Sequence, residues 1–287
     1  MIKFGEWVME IKIYNEDCLK NMTETMGENS VDIVITSPPY NNSRAVHTEY
    51  CIKTSNSRYM EYDDNKTNDE YIDWICQLFQ DGYDRIVKEN GVVLFNMSYG
   101  SENPTVMFEC ISEVCRKTNW MVADVISWKK NSALPNNVST NKCTRICEFV
   151  FVFCRKGEYK TFKANKTITS YSKTGQPFYS IIYNYIEASN NDGSNDMNKA
   201  TFSTDFVLRL LEMYAPYGKD TVVYDSFMGT GTTAVACKMV GMSCYGAELS
   251  KSQCEYAERR IQMNGDIKSV GNKRNEDAKF EKFDWGF

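Results

Sequence analysis

Two short stretches of this 287-residue chain carry residue types that could do chemistry together. Residues 36–40 read Thr-Ser-Pro-Pro-Tyr and end an apolar run, Val31-Asp32-Ile33-Val34-Ile35. Residues 225–233 read Asp-Ser-Phe-Met-Gly-Thr-Gly-Thr-Thr and follow a second run, Thr221-Val222-Val223-Tyr224. In the first stretch, two consecutive prolines stop a strand and stiffen its exit. The carbonyls of Ser37 and Pro38 can then serve as fixed acceptors, and Tyr40 can offer a flat ring for stacking. An exocyclic amine on a nucleobase is a poor nucleophile, because its lone pair is delocalised into the ring. Acceptors aimed at its hydrogens would help pyramidalise it and stabilise positive charge as a methyl group arrives. A Pro-Pro turn by itself is read as readily as plain structure. The second stretch tips the balance toward chemistry.

In that second stretch, Gly229 and Gly231 lie between a buried strand and a helix beginning near Thr232. Glycine lets a backbone turn sharply and approach a ligand closely. A helix N-terminus offers free N–H groups to an anion. No Gly-Lys-Ser/Thr follows, so this is not a P-loop, and the Gly-x-Gly-x-x-Gly spacing is absent. About 20 residues on, the next strand ends in Gly246-Ala247-Glu248, where doubly wound folds place a carboxylate on ribose hydroxyls. A glycine turn alone could be only a tight connection. With the acid after the following strand, the pair points to an adenosine-containing ligand. In an open parallel sheet, ligands bind where the strand order reverses. The two loops would meet there if the strands of Thr36 and Asp225 are neighbours.

Strand-like runs occur at Ile11–Tyr14, Val31–Thr36, Val92–Met97, Met121–Trp128, Cys147–Cys154, Val222–Asp225 and Ser243–Glu248. Helix-like periodicity marks Tyr71–Lys88, Thr105–Arg116, Thr204–Tyr214, Thr232–Val240 and Lys251–Met263. Strands alternating with helices imply a mostly parallel sheet covered on both faces. Met121–Trp128 and Cys147–Cys154 have no helix between them, so they should pair antiparallel at one edge. Three segments look unlike core: polar Asn41–Asn68, basic and tyrosine-bearing Arg155–Lys199, and the charged stretch from Ile267 onward.

Hydrophobic residues make up 42% and charged residues 25% of the chain, ordinary values for a globular protein. No apolar run reaches membrane-span length and no signal pattern opens the chain, so an intracellular, cytoplasmic protein without a membrane partner is expected. Eleven cysteines, an odd number, fall mostly in apolar contexts (Cys76, Cys110, Cys115, Cys147, Cys154, Cys237, Cys244) and read as reduced thiols. Cys143 and Cys147 lack a second pair, and His47 is the single histidine, so no metal site is expected. A net charge of −5 argues against nucleic-acid binding over the whole surface but allows a local basic face. Arg155, Lys156, Lys160, Lys163, Lys166 and Lys173 could form one, although taken alone such a run is better explained as a solvated loop.

Nearly the whole chain resembles the S-adenosylmethionine-dependent, amino-methylating DNA methyltransferases of the β arrangement, in which the catalytic loop precedes the cofactor loop. Ser37-Pro38-Pro39-Tyr40 is similar to the catalytic motif of that family. Asn15-Glu16-Asp17-Cys18-Leu19 resembles its adenine-contacting motif, and Asp225 to Thr233 its donor loop, with Ser226 where the family usually has proline. Lys88 to Val92 matches the helix-to-strand step. Trp128-Lys129-Lys130-Asn131 with Arg145 and Glu148 matches a later segment. Lys199 to Ser203 matches the cofactor-contacting pattern only loosely.

The resemblance implies a doubly wound, mostly parallel, seven-stranded Rossmann-like α/β sheet with an antiparallel edge strand, a circularly permuted motif order and a small target-recognition insertion. It divides the chain into a catalytic half (1–154), a recognition region (155–199), a cofactor half (200–266) and a tail (267–287). It carries catalytic roles to Ser37, Pro38, Pro39 and Tyr40. It carries S-adenosylmethionine binding to Asp17, Cys18, Thr36, Asp225, Phe227, Met228, Gly229, Thr230, Gly231, Thr232 and Glu248. The expected partner is double-stranded DNA, with a homodimer and a separate cognate restriction endonuclease as further expectations.

Two rival readings remain open at this level. Amide methyltransferases of protein or RNA use a similar loop, generally headed by Asn and with the cofactor loop earlier in the chain. A non-catalytic DNA-binding relic would not need Ser37, Tyr40, Asp225 and Glu248 intact. Carbon-5 cytosine methylation needs a Pro-Cys step, which the sequence lacks. Serine at the head of the motif is associated in the family with the N4 amine of cytosine, and Asp or Asn with the N6 amine of adenine. A hydroxyl can accept and donate, which suits an amine beside the ring N3 acceptor. Cytosine N4 is therefore placed ahead of adenine N6.

Overall fold

The computed structural model describes residues 9–41, 66–100, 103–133, 135–137, 139–193, 201–216 and 220–263. The strands, in chain order, are β1 (Ile11–Tyr14), β2 (Val31–Thr36), β3 (Val87–Met97), β4 (Trp120–Lys130), β5 (Cys147–Arg155), β6 (Ile168–Tyr171), β7 (Pro177–Tyr179), β8 (Tyr185–Ala188), β9 (Val222–Asp225) and β10 (Ser243–Ala247). Eight of these build one sheet in the order β1-β10-β9-β2-β3-β5-β4-β8, and β6 with β7 forms a separate hairpin. β1, β10, β9, β2 and β3 run parallel. β5 is antiparallel to both β3 and β4. The expected pairing of the two helix-free strands is therefore present. An eighth strand, β8, lies outside them, parallel to β4. It comes from within the 155–199 segment, where Ile186 and Ala188 alternate inward while Tyr185 and Glu187 face out.

Period-two alternation divides the core between the two faces of the sheet. Val34, Val93, Phe95, Phe151, Phe153 and Tyr224 face one side and pack with helices Asn68–Gln77 and Val106–Lys117. Ile33, Ile35, Val92, Leu94, Val150, Val152 and Val223 face the other and pack with helices Thr204–Tyr214 and Thr232–Val240. Helix Lys251–Gln262 follows β10 and adds Ile261 to that second layer.

The helix ends have local causes. Thr67 and Glu70 form a reciprocal capping box at the start of Asn68–Gln77. The Ser203 hydroxyl accepts from the Phe206 N–H at the start of Thr204–Tyr214. The helical periodicity expected over Tyr71–Lys88 breaks up. The α-helix ends at Gln77, a π-helical turn spans Leu78–Tyr83, and β3 already begins at Val87. The apolar residues there keep one buried face, so the period survives while the hydrogen-bond pattern changes.

Seven of the described cysteines are buried, Cys115 and Cys147 are half-buried, and Cys143 is exposed. Most of Asn41–Asn68 and all of the expected tail lie outside the described residues. Among the described residues, no helix is long and apolar enough to cross a membrane.

Candidate active site

β2 and β9 are parallel neighbours, with Ile33 opposite Val223 and Val34 opposite Tyr224. From β9 the chain passes through helix Thr232–Val240 to β10, on one face and toward one end of the sheet. From β2 it passes through helix Asn68–Gln77 to β3, on the opposite face and toward the other end. The strand order thus reverses between β2 and β9, and a crevice must open at their carboxyl ends. Thr36 ends β2 and Asp225 ends β9, and the Thr36 hydroxyl donates to Asp225 Oδ1 at 2.8 Å. The two loops singled out in the sequence start from this contact.

Asp225 organises the glycine loop. Its Oδ1 also accepts from the Phe227 N–H at 3.0 Å, and its Oδ2 accepts from the Thr233 hydroxyl at 2.6 Å. Burial pushes its carboxyl above the ordinary aspartate value, and the bonds from Thr233, Thr36 and Phe227 partly offset that rise. Gly229 and Gly231 adopt φ values of 53° and 82°. A Cβ on Gly231 would also lie 2.8 Å from Ala257 Cβ, so both conformation and space demand glycine. Glu248, just beyond β10, accepts from the Gly229 N–H at 2.8 Å through Oε2 and from the Ser250 N–H at 2.8 Å through Oε1. The acid that follows the second strand is thus held against the glycine loop.

The remaining expected donor-site residues are placed less uniformly. Tyr14 of β1 pairs with Ala247, and the Glu248 N–H donates to the Tyr14 carbonyl at 3.0 Å, which brings the Asp17 turn beside Glu248. The Asp17 carboxylate caps that turn by accepting from the Leu19 and Lys20 N–H groups. Cys18 is buried, and burial raises its thiol pKa. The Met228 side chain is in the core, directly beneath Gly246, so this residue meets the crevice only through its backbone. The Thr232 hydroxyl accepts from Arg260 at 2.8 Å.

At the family's proline position, the buried Ser226 hydroxyl bonds to the Tyr83 hydroxyl at 2.7 Å. A proline there would leave the buried Tyr83 hydroxyl without that partner. The site fits a polar ligand on one further observation. The Thr230 hydroxyl is buried in the glycine loop and has no hydrogen-bond partner. Buried polar atoms are rarely left so unless a ligand or water completes them.

The catalytic loop carries a second polar network. The Ser37 and Tyr40 hydroxyls are 2.9 Å apart. The Tyr40 hydroxyl also lies 3.3 Å from Asn96 Oδ1 and 3.3 Å from Glu148 Oε2. Asn96 is oriented by its own amide, which donates to the Phe149 carbonyl at 3.2 Å. Lys130 pairs with the other oxygen of Glu148. β3 and β5 thus each send one polar side chain to the loop, and Lys130 of β4 holds the one from β5. The two loops also share a wall. Tyr71 donates to the Pro39 carbonyl at 2.5 Å, Tyr71 meets Trp74, and Trp74 meets the Phe227 ring edge-on at 5.6 Å between centroids.

Sequence reasoning assigned no role to Asn96, Tyr71 or Trp74, noted Lys130 only within a matching segment, and placed Thr233 in the donor loop without a role of its own. Asn96 carried a usable signal, being a polar residue inside the apolar run Val92–Met97. Glu148 was noted only as part of a matching segment.

The basic run divides. The Arg155 guanidinium donates to Asp84 and to the Val87 and Lys88 carbonyls and lies 4.9 Å over the Trp120 ring. Lys156 donates to the Thr118 carbonyl at 2.7 Å. These two cations brace the fold, because each sits against carbonyls left free at element ends. Lys160, Lys163, Lys166 and Lys173 are at least partly exposed. Tyr171, Phe178, Tyr179 and Tyr183, on and just after the β6–β7 hairpin, are exposed.

Residues 31–259 match the DNA methylase model of the N6/N4 methyltransferases, and the chain belongs to that family. It is an S-adenosylmethionine-dependent DNA methyltransferase acting on an exocyclic amine of cytosine or adenine. It is 25% identical to the Type II methyltransferase M.HinfI of Haemophilus influenzae over 265 residues, covering 87% of this chain and 67% of that one. It is 24% identical to the Type II methyltransferase M.MjaI of Methanocaldococcus jannaschii, covering 82% and 86% respectively. The fold is similar to the PvuII DNA methyltransferase, described as cytosine-N4-specific, with a TM-score of 0.64 at 17% identity over 90% of this chain and 92% of that one. It is also similar to a DNA modification methylase of Thermus thermophilus complexed with S-adenosyl-L-methionine, with a TM-score of 0.55 at 18% identity over 90% and 95%.

Proposed function

We propose that this chain methylates the N4 amine of cytosine at a specific sequence in duplex DNA. The observation that carries the reading is Ser37 at the head of the catalytic loop, hydrogen-bonded to Tyr40 beside the Thr36–Asp225 contact. Tyr40 has one hydroxyl proton, and its neighbours Asn96 Oδ1 and Glu148 Oε2 can only accept it. Where that proton goes to one of them, the Ser37 hydroxyl donates to Tyr40 and keeps its own lone pairs as acceptors. Ser37 is then an acceptor for an amine N–H. Serine at this position, rather than Asp or Asn, is what places cytosine N4 ahead of adenine N6.

S-adenosylmethionine supplies, when bound, an electrophilic methyl group on a sulfonium centre. The chain's own groups hold it and prepare the amine. Asp225 fixes the glycine loop, Glu248 takes the ribose hydroxyls, and Thr230 offers its unpartnered hydroxyl. Phe227, backed by Trp74, and the Asp17 turn take the adenine. The target cytosine leaves the duplex at a cost of a few kcal/mol. Tyr40 offsets part of that by stacking, worth roughly 1–3 kcal/mol. Alignment of amine and methyl group then supplies much of the rate.

Residues 155–199 read the DNA. The lysines of this segment meet phosphates, and the aromatic residues of the β6–β7 hairpin meet the groove. Mass spectrometry of nucleosides from treated DNA tests the base assignment. N4-methylcytosine is expected, and N6-methyladenine without N4-methylcytosine would overturn it.

A further inference from the structure

Arg260, on helix Lys251–Gln262, is a buried cation that the reaction does not obviously use. Its guanidinium donates to the Thr232 hydroxyl at 2.8 Å and to the Thr230 carbonyl at 3.3 Å. Both acceptors belong to the glycine loop. The third contact comes from elsewhere in the chain. Asp192 Oδ2 forms an ion pair with the other arm of the guanidinium, whose side chain is only 7% exposed. Asp192 is itself anchored. Its Oδ1 accepts from the Thr204 N–H at 2.7 Å, at the start of helix Thr204–Tyr214, and its Oδ2 also accepts from the Thr204 hydroxyl.

Asp192 lies in the polar stretch just after β8. Asn190, two residues earlier, donates to the Ser132 carbonyl at 2.5 Å beyond the end of β4. One loop therefore touches the outermost strand pair of the sheet and, through Arg260, the glycine loop at its centre. A buried guanidinium needs a carboxylate to be tolerated, and its fork holds a fixed direction only when both arms are engaged.

We propose that Arg260 and Asp192 are positioning residues for the donor loop. Arg260 sets the Thr230–Thr232 backbone in the conformation that receives S-adenosylmethionine, and Asp192 aims Arg260. The inference rests on reading residues 225–233 as the donor site. Its consequence is that a residue in the 155–199 segment, remote in sequence from the glycine loop, sets donor affinity. The Thr230 hydroxyl, buried and unpartnered, lies in the stretch that Arg260 holds. A small shift of the Thr230 carbonyl would re-aim that hydroxyl.

The test is calorimetric titration of the full chain with S-adenosylmethionine, for wild type, Asp192→Asn, Arg260→Lys and the double variant. Heat denaturation without donor monitors folding of each. Asn keeps the size of Asp192 and an acceptor for the Thr204 N–H. Lys keeps the charge of Arg260 and loses the fork. Each single variant should bind donor about tenfold more weakly, the loss expected when one charge-assisted bond to the loop is misplaced. The double variant should bind no more weakly than Arg260→Lys alone, because Asp192 acts only through Arg260. DNA affinity, measured in parallel by gel shift, should stay within about twofold of wild type, because the Asp192 carboxylate is taken up by Thr204 and Arg260, and the DNA contacts of its segment are assigned to the lysines and the β6–β7 hairpin. Wild-type donor affinity in Asp192→Asn, or losses that add in the double variant, would overturn the positioning role. A wild-type chain that binds no donor would overturn the donor site itself, and this inference with it.

Discussion

Replacing Tyr40 by Phe removes one hydroxyl and keeps the ring, so it separates the two roles given to this residue. The hydroxyl lies 2.9 Å from Ser37 Oγ and 3.3 Å from both Asn96 Oδ1 and Glu148 Oε2. The last two distances are long for O–H···O bonds, so the single proton they share contributes at the low end of the range. About 1 kcal/mol for the Ser37 bond and about 1 kcal/mol for the shared one give a loss of about 2 kcal/mol. If the network is used in the transition state, that is roughly a 30-fold drop in the rate of methyl transfer. Tyr40→Ala removes the stacking surface as well, worth about 1–3 kcal/mol. The combined loss of about 3–5 kcal/mol is a drop of roughly 200- to 5,000-fold. Single-turnover transfer of a tritiated methyl group into unmodified DNA measures both variants. DNA affinity, measured separately, should be kept by Phe and lowered by Ala. Tyr40→Phe at the wild-type rate would refute the hydroxyl network as a means of fixing Ser37. Equal rates for Phe and Ala would refute the stacking role.

Three further outcomes follow from the same geometry. Gly231→Ala must hold a Cβ at φ 82° and 2.8 Å from Ala257 Cβ. It should cost about 2 kcal/mol in urea unfolding, chiefly from the left-handed backbone, and weaken donor binding further than that loss alone would. Replacing Lys160, Lys163 and Lys166 together by Ala should reduce the slope of log affinity for DNA against log salt by up to about 2.7, near 0.9 for each phosphate left unneutralised. An unchanged slope would move the DNA face away from this segment. The raised Asp225 carboxyl makes a signed prediction about pH. A group whose folded pKa lies above its unfolded value adds stability below the unfolded value and loses it as pH rises through the folded one. Asp225→Asn should therefore flatten that part of the stability–pH curve and leave the ligand-free chain at least as heat-stable at neutral pH, while weakening donor binding. Calorimetric melts at acidic and neutral pH, paired with donor titrations, would expose the error if the variant melts lower at neutral pH.

The parts of this molecule that were legible in the sequence are those fixed by short-range rules. Apolar runs of strand length, helical periodicity and glycines at a strand-to-helix turn each depend on a few neighbouring residues. The helices Thr204–Tyr214 and Thr232–Val240 end at the residues their periodicity marked. The Thr36–Asp225 contact was legible in a different way, from the rule that loops meet where strand order reverses, although the two residues are 189 positions apart. What could not be read is the set of partners that converge on those loops from other strands. Asn96 and Glu148 reach Tyr40, and Lys130 reaches Glu148, because β5 inserts antiparallel between β3 and β4, with Asn96 opposite Val150 and Trp128 opposite Glu148. A one-residue slip in either register would turn those side chains to the opposite face. The division of the basic run has the same origin. Arg155 and Lys156 look no different from Lys160 in sequence, yet β5 delivers them to Trp120 and to the Val87, Lys88 and Thr118 carbonyls.

Ser226 shows how such distant partners can change the meaning of a departure from a family pattern. Taken alone, serine in place of proline would loosen the donor loop, since proline restricts φ and serine does not. In the fold, the Ser226 hydroxyl is buried against the Tyr83 hydroxyl, which burial otherwise makes costly to leave unpaired. Tyr83 ends the π-helical turn Leu78–Tyr83, and its ring packs edge-on against Phe79 in the core of the first face. The restraint that proline would impose through its ring is here imposed through a hydrogen bond to a tyrosine 143 residues away. The substitution thus ties the donor loop to the helical layer that also carries Tyr71 and Trp74. Those two residues form the wall between the donor loop and the catalytic loop, so one layer braces both halves of the site.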